Sequence, residues 1–346
     1  MKRGPVAVIG AGVMGCATAR ALAARGVQVT LLEQFRIGHS RGSSHGASRI
    51  FRFSYPDARY VAMAMEALPL WRSLEREVDE PLLTTTGGLD RGPALDDHVS
   101  ALRSCGAACE VLDQTRARKR WPSLRFPDDG QVLFQPDSGF LRAERSVQAF
   151  AGAFTRRGGE VLEGVRASSL TSTSEGVVLE TSGGTKTFEC VVVTAGSWAK
   201  KLLATADIHL DVRPTRETVA YFDLAGPPPP TLVEWGDPAI YALADPGRGV
   251  KAGEHEAGPT TDPDEEGKIN AESLERVVRW VGERFPGASP DPTGAETCLY
   301  TNTPDDHFVL KGYGRVVVGS PCSGHGFKFA PLIGERLAAL VEEVVG

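Results

Sequence analysis

The chain has no run approaching the roughly eighteen unbroken apolar residues of a membrane-spanning helix. Its early hydrophobic stretch, Val6 to Met14, follows Lys2 and Arg3 but is too short and too rich in glycine for a signal peptide. Nor is there a basic excess. A formal net charge of -6 leaves no electrostatic footprint for nucleic acid or anionic lipid, so neither is expected as a partner. The cysteines, at 16, 105, 109, 190, 298 and 322, include no C-x-x-C and no Cys/His pair at zinc spacing. That excludes the usual structural zinc patterns and points to a reducing, cytoplasmic setting. Cys105 and Cys109 read as two small residues one helical turn apart. Repeats and low-complexity tracts are missing too, apart from Pro227 to Pro230, which reads as a stiff exposed loop. At 346 residues the chain exceeds the size at which one core keeps growing, and two domains or one interleaved pair are expected.

What is present begins at once. Val6 to Ile9 is a short β-branched run, and Gly10-Ala11-Gly12-Val13-Met14-Gly15 has the G-x-G-x-x-G spacing. Cys16 to Ala24 is small and helix-prone, Gly26 closes that helix, and Val27 to Leu32 forms the next strand, with Glu33 at its end. A glycine turn alone is weak evidence. Strand before, helix after and an acid about twenty residues on make it a dinucleotide site: the helix N-terminus meets the pyrophosphate and Glu33 accepts from the ribose hydroxyls. FAD and NAD both remain open at this point, whereas a Glu at the strand end argues against the 2′-phosphate of NADP.

Further along, residues 39 to 59 are rich in Gly, Ser, His and Arg and read as a long functional loop ahead of a helix from Tyr60 to Glu77. Strand-like pieces separated by turns follow at Leu82 to Leu89, Val132 to Phe134 and Leu141. A helix is expected over Ser146 to Arg157, and strands over Val161 to Leu170 and Val177 to Thr181. Glu189 to Val193 reads as a buried strand running into Thr194-Ala195-Gly196-Ser197-Trp198, a junction that can meet a cofactor a second time through Ala195, Gly196 and Trp198. Arg213 to Phe222 and Ala239 to Gly253 predict a second sheet, followed by a helix over Ala271 to Phe285. Phe308 to Lys311, a strand at Arg315 to Gly319, a glycine loop and a helix from Pro331 to Val345 close the chain. Nucleotide-type elements at both ends predict an inserted second domain.

Four stretches together resemble the monomeric sarcosine oxidase and N-methyltryptophan oxidase family of flavin amine oxidases, in the D-amino-acid oxidase superfamily. They are Gly42-Ser43-Ser44-His45-Gly46-Ala47-Ser48-Arg49, Val250-Lys251-Ala252-Gly253-Glu254-His255, Cys298-Leu299-Tyr300-Thr301 with Pro304-Asp305-Asp306-His307-Phe308, and Ser323-Gly324-His325-Gly326-Phe327-Lys328-Phe329. The likeness runs in register over nearly the whole chain. It implies an α/β (α+β) fold in which a Rossmann-like FAD-binding domain, residues 1–85, 140–212 and 293–346, is interleaved with an antiparallel-sheet substrate domain, residues 86–139 and 213–292. It also implies a monomer that oxidises a secondary amino acid to an imine, with O₂ reduced to H₂O₂.

The resemblance assigns roles residue by residue. Cys298 matches the cysteine that carries the flavin through an 8α thioether. Arg49 and Lys328 match two cations that hold the substrate carboxylate, a planar fork beside a point charge; both are also expected at the cofactor, and service to the flavin ring instead stays open for Lys328. Lys251 matches the lysine to which the family owes oxygen activation, while His45, His255 and Tyr300 match pocket residues. Gly324, His325 and Gly326 are expected along the flavin edge where negative charge develops. Val13, Met14, Gln34, Ser43, Ser44 and Val165 complete the expected cofactor contacts. Each of these residues also has an ordinary structural reading, such as a buried free thiol for Cys298 or a strand-edge lysine for Lys251.

The chain departs from that family at the substrate side. Tyr241-Ala242-Leu243-Ala244 lacks a second tyrosine, the loop from Asp245 to Gly249 is shorter, Leu232 stands in place of a methionine, and the given sequence ends at Gly346 without a C-terminal tail. These differences predict a larger N-methyl or cyclic amino acid in place of sarcosine. Two other readings stay open: a flavin dehydrogenase or D-amino-acid-type oxidase with non-covalent FAD, and a non-catalytic flavin-binding subunit.

Overall fold

A computed structural model describes residues 4–345. Its six-stranded sheet runs in the order Val309–Tyr313, Val316–Ser320, Cys190–Val193, Val6–Ile9, Val29–Glu33, Glu160–Glu163. Neighbours are parallel except the first pair. Parallel strands covered on both faces must be apolar on both. Accordingly Val6 and Val8 join the core shared with the helices Val13–Ala24, Ala143–Arg156 and Ala330–Val345, while Ala7 and Ile9 join the core on the opposite face, against Ala167–Ser172 and Val177–Thr181.

The glycine turn is dictated by close approach. Gly10 lies at φ +97°, and a Cβ on Gly15 would sit 1.8 Å from the Gly10 carbonyl oxygen and 2.8 Å from Thr194 Oγ1. No rotamer relieves a contact with backbone. Gly15→Ala is therefore expected to force the helix off the strand, costing about 2 kcal/mol or more and weakening FAD uptake. Denaturant unfolding and flavin titration would measure both effects, and unchanged midpoints would rule this packing out.

An eight-stranded sheet stands beside the first, in the order Gly294–Asn302, Arg213–Phe222, Gly249–His255, Ala239–Asp245, Thr231–Glu234, Gly88–Arg91, Val132–Gln135, Glu110–Leu112. All its pairs are antiparallel except Thr231–Glu234 with Gly88–Arg91. One face packs Ala220, Phe222, Leu232, Ala242, Val250 and Ala252 against Val277, Trp280 and Val281 of the helix Ala271–Arg284. Because side chains alternate along a strand, the other face presents Val219, Val233, Tyr241, Lys251 and Cys298 to a cleft. Gly294–Asn302 thus belongs to this sheet, although the expected boundary at 293 places it with the nucleotide domain. A small sheet of Ser48–Phe51, Gly139–Arg142 and Leu83–Thr85 packs Ile50 and Phe140 against Leu243 and Ala244 of the eight-stranded sheet.

The expected mix of parallel and antiparallel sheets is therefore what the chain forms. Some local expectations are corrected. The loop over 39–59 contains the strand Ser48–Phe51, which pairs with Gly139–Arg142. Val161 to Leu170 is two strands, parted at Gly164, whose φ of +70° breaks the extended run. Between Leu89 and Val132 lie two helices that the sequence reading passes over, Leu95–Ser104 and Gln114–Arg120. Cys105 and Cys109 do not share a helix: the first caps Leu95–Ser104, Gly106 turns the chain at φ +71°, and the second follows it. Among the described residues, no helix is long and apolar enough to cross a membrane.

Candidate active site

A single elongated cleft runs from the glycine turn, past the 194–198 junction, to the exposed face of the eight-stranded sheet. At its first end the helix Val13–Ala24 starts at Gly12 with no capping side chain and no acid in its first turn. An anion is favoured at such an end. Ser44 Oγ accepts from the Val13 amide at 3.1 Å and ties the 42–49 loop over the turn. Buried Glu33 accepts from the Ala11 amide at 2.8 Å and the Phe35 amide at 2.8 Å, so its carboxylate props the turn and keeps further lone pairs for a ribose. Gln34, Val165, Ala195, Gly196 and Trp198 line the same part of the cleft. Length, donors at one end and basic groups at the other fit a dinucleotide that ends in an electron-accepting ring.

The far end holds four cations in two pairs, with Lys251, Arg52 and Lys328 buried and Arg49 half-buried. Arg49 donates to the Ser48 carbonyl at 2.8 Å and the Ser43 carbonyl at 2.9 Å, and its Nη2 lies 3.6 Å from Cys298 Sγ. Lys251, only 3% exposed, stands 5.7 Å from the Tyr221 ring centre. Burial first, then the like charge of Arg49, pull its ammonium down to about 8.

The second pair is Lys328 with Arg52, both of them over the Tyr55 ring. The cation facing Lys328 is Arg52, which the sequence reading does not single out. Lys328 donates to Tyr55 Oη at 2.8 Å and to the His325 carbonyl at 2.7 Å. Arg52 donates to the Ser54 carbonyl, lies 3.7 Å from Asp90, and is stacked between Tyr55 at 4.4 Å and Trp235 at 4.8 Å. Burial, with Arg52 adding repulsion, holds the Lys328 ammonium well below the usual lysine range. An incoming carboxylate would relieve both penalties at once.

His255 and Tyr300 sit beside this pair, with His255 Nδ1 3.4 Å from the Tyr300 hydroxyl. Burial and then the charges of Arg52 and Lys328 push His255 down to about 3, so it is neutral at physiological pH. His325 stacks on Phe308 and places Nε2 3.0 Å from the Asp306 carbonyl oxygen. Gly324 leaves its φ-positive backbone against the Tyr300 ring.

Of the residues expected at the site, all line the cleft except two. Gly15 serves the helix–strand contact behind it. His45 is buried, with Nδ1 3.9 Å from Glu296 and Nε2 without a hydrogen-bond partner, and burial followed by Arg49 lowers it to about 4. Leu232, expected on the substrate side, packs in the core instead, and its neighbour Val233 takes the lining position. Trp235, Ile240 and Leu243 line the cleft as well. For Leu243 the signal is alternation along its strand, readable only once the register is known, whereas Trp235 follows the end of Thr231–Glu234 and Ile240 has the core-facing parity.

The sequence profile described as FAD dependent oxidoreductase (DAO) matches residues 5–340. The chain is 32% identical to monomeric sarcosine oxidase of Bacillus sp. (strain NS-129), covering 97% of this chain and 92% of that one. It is 30% identical to N-methyl-L-tryptophan oxidase of Yersinia pestis (strain Pestoides F), covering 97% and 94%. Among solved structures, the open form of NikD, an unusual amino acid oxidase essential for nikkomycin biosynthesis, superposes with a TM-score of 0.89 at 25% identity, covering 99% and 95%. With the profile spanning nearly its full length and the cleft built as described, the chain belongs to the DAO family of FAD dependent oxidoreductases.

Proposed function

We propose that this protein is an FAD-dependent oxidase of a secondary amino acid, and that the carboxylate clamp is Arg52 with Lys328. The observation that carries this reading is the pair of buried cations over the Tyr55 ring, at the opposite end of the cleft from the glycine turn. Bound FAD supplies the acceptor for the hydride equivalent from the carbon next to the amine, and the route by which the electrons reach O₂.

The protein's own groups do the rest. Arg52 offers its planar fork and Lys328 a point charge to the carboxylate, which orients the amine carbon toward the cleft axis. Tyr55 Oη and the His325 carbonyl hold Lys328 Nζ in position. Neutral His255 adds no charge that would oppose the approach of an amine, and the buried aromatic surround excludes water. Lys251, paired with Arg49, contributes a cation for the oxygen half of the reaction. Released imine is hydrolysed by water. Trp235, Ile240 and Leu243 give the substrate compartment an apolar, partly aromatic wall, which favours an N-methyl or cyclic amino acid larger than sarcosine. Peroxide release across a panel of amines tests that preference, and activity on sarcosine alone would refute it.

Cys298 is our choice for covalent attachment of FAD. Two cysteines line the cleft, Cys298 and Cys322. Only Cys298 has a guanidinium against its sulfur, the electropositive surrounding in which reactive thiols occur. Burial pushes the Cys322 thiol up. After acid precipitation, flavin is expected to stay with the parent protein and with Cys322→Ser and to appear in the supernatant for Cys298→Ser. Free flavin from the parent would remove the thioether and favour a loosely held cofactor.

A further inference from the structure

Three charged groups converge on the space that a side chain at Gly46 would fill. A Cβ there would lie 3.2 Å from Glu296 Oε1, 3.5 Å from Lys251 Nζ and 3.6 Å from Arg49 Nη1. Gly46, at φ +86°, accepts this backbone and leaves the room. Two cations so placed repel each other in a buried setting, and an opposing charge is needed to keep both.

Glu296 is the carboxylate at that point. It lies two residues before Cys298 on the same strand, so both project from the same sheet face. The Tyr221 hydroxyl donates to Oε1, and Tyr221 itself is in register with Lys251. His45 Nδ1 approaches the same oxygen at 3.9 Å. Asp245, the other carboxylate nearby, is engaged by the Ser48 hydroxyl at 2.7 Å and by Arg248 at 3.7 Å. Arg248 in turn stacks 4.6 Å from the Tyr221 ring centre.

We propose that Glu296 is the counter-ion and positioning residue of Lys251, latched by Tyr221, and that it sets how much of the lysine is protonated at neutral pH. The inference deepens the oxidase reading, on which it rests only for the consequence in oxygen reduction. A solvent-facing carboxylate suits the role. The Glu296 side chain keeps 32% of its exposure where Lys251 keeps 3%, so it can exchange protons with water. Burial works to raise the Glu296 carboxyl, yet the Tyr221 hydroxyl and the charges of Lys251 and Arg49 outweigh it and hold the group below its ordinary value. At Lys251 the pull of burial and Arg49 is opposed by Cys298, Glu296 and Asp245.

The test reads Lys251 directly. In protein carrying ¹⁵Nζ-labelled lysine, without FAD and again with it, the resonance lost in Lys251→Met reports the titration. The wild-type midpoint is expected near 8. In Glu296→Gln the proton affinity should fall about tenfold or more, Tyr221→Phe should move it the same way by less, and Glu296→Asp should recover part of the loss. Reoxidation by O₂ at pH 8 should then be about fivefold slower in Glu296→Gln, following the protonated fraction. Equal midpoints in wild type and Glu296→Gln would overturn the proposal. A lowered midpoint with unchanged reoxidation would support Glu296 as counter-ion and remove Lys251 from the oxygen step instead.

Discussion

Lys251→Met is expected to leave anaerobic reduction by an amino acid within about twofold of the parent, while slowing reoxidation by O₂ roughly 10²–10³-fold, the usual effect of removing one preorganised charge from a dry site. Nζ is buried on the sheet face that also carries Cys298, and methionine keeps the length of the side chain without the charge. Oxygen gains negative charge on its first electron, so a cation fixed close by lowers that barrier. Substrate oxidation generates no such anion and is insensitive to the lysine. The sign of the pH dependence follows. The ammonium predominates below about 8, so reoxidation is expected to be fast there and to fall as pH rises through that value. Stopped-flow measurement of the two half-reactions decides the matter, and equal losses in both would withdraw the role.

Arg52→Ala is expected to raise the dissociation constant for the amino acid by about 30-fold or more. Removing one partner of a buried, hydrogen-bonded charge pair costs about 2–5 kcal/mol, which is roughly 30-fold to several thousand-fold in affinity. Flavin content should stay near that of the parent, because Arg52 is engaged by Tyr55, Trp235 and Asp90 and not by the turn or by Cys298. Arg49→Ala should behave the other way, impairing flavin attachment more than substrate binding, since its fork holds Ser43 and the Cys298 sulfur. Anaerobic spectral titration with substrate, and with a carboxylic acid lacking the amine, separates the two. If the Arg49 variant loses carboxylate affinity and the Arg52 variant keeps it, the clamp is misassigned.

The contrast between these arginines marks where the sequence was legible. Val6 to Glu33 could be read because strand, turn, helix and acid are adjacent in the chain and each needs its neighbour for a local reason. Arg52 could not. It follows Arg49 by three residues, and its role depends on Tyr55, Asp90 and Trp235, brought together from three separate elements. Leu232 fails for a related reason. Pairing with Ala242 puts it in the core, pairing of Val233 with Tyr241 puts that residue in the cleft, and an offset of one position exchanges the two faces. Most of the residues expected at a cofactor line the cleft, because the four motifs that resemble the family lie on loops and on strands that meet it. The helices Leu95–Ser104 and Gln114–Arg120 were missed because both are short, although Leu95, Val99 and Leu102 do recur at a helical period along one buried side.

The order of strands has a temporal corollary. Val6–Ile9 is flanked by Cys190–Val193, which in turn needs Val316–Ser320, and Ala330–Val345 lies so close over the first helix that a Cβ on Gly334 would meet the Ala17 backbone at 2.7 Å. A growing polypeptide therefore exposes its pyrophosphate loop to the cell long before the segments that buttress it have left the ribosome. Pairing across such separations is slow. Flavin capture is accordingly expected to follow synthesis of the final helix, and a truncation that removes this helix is expected to lose the cofactor along with the surface it covers.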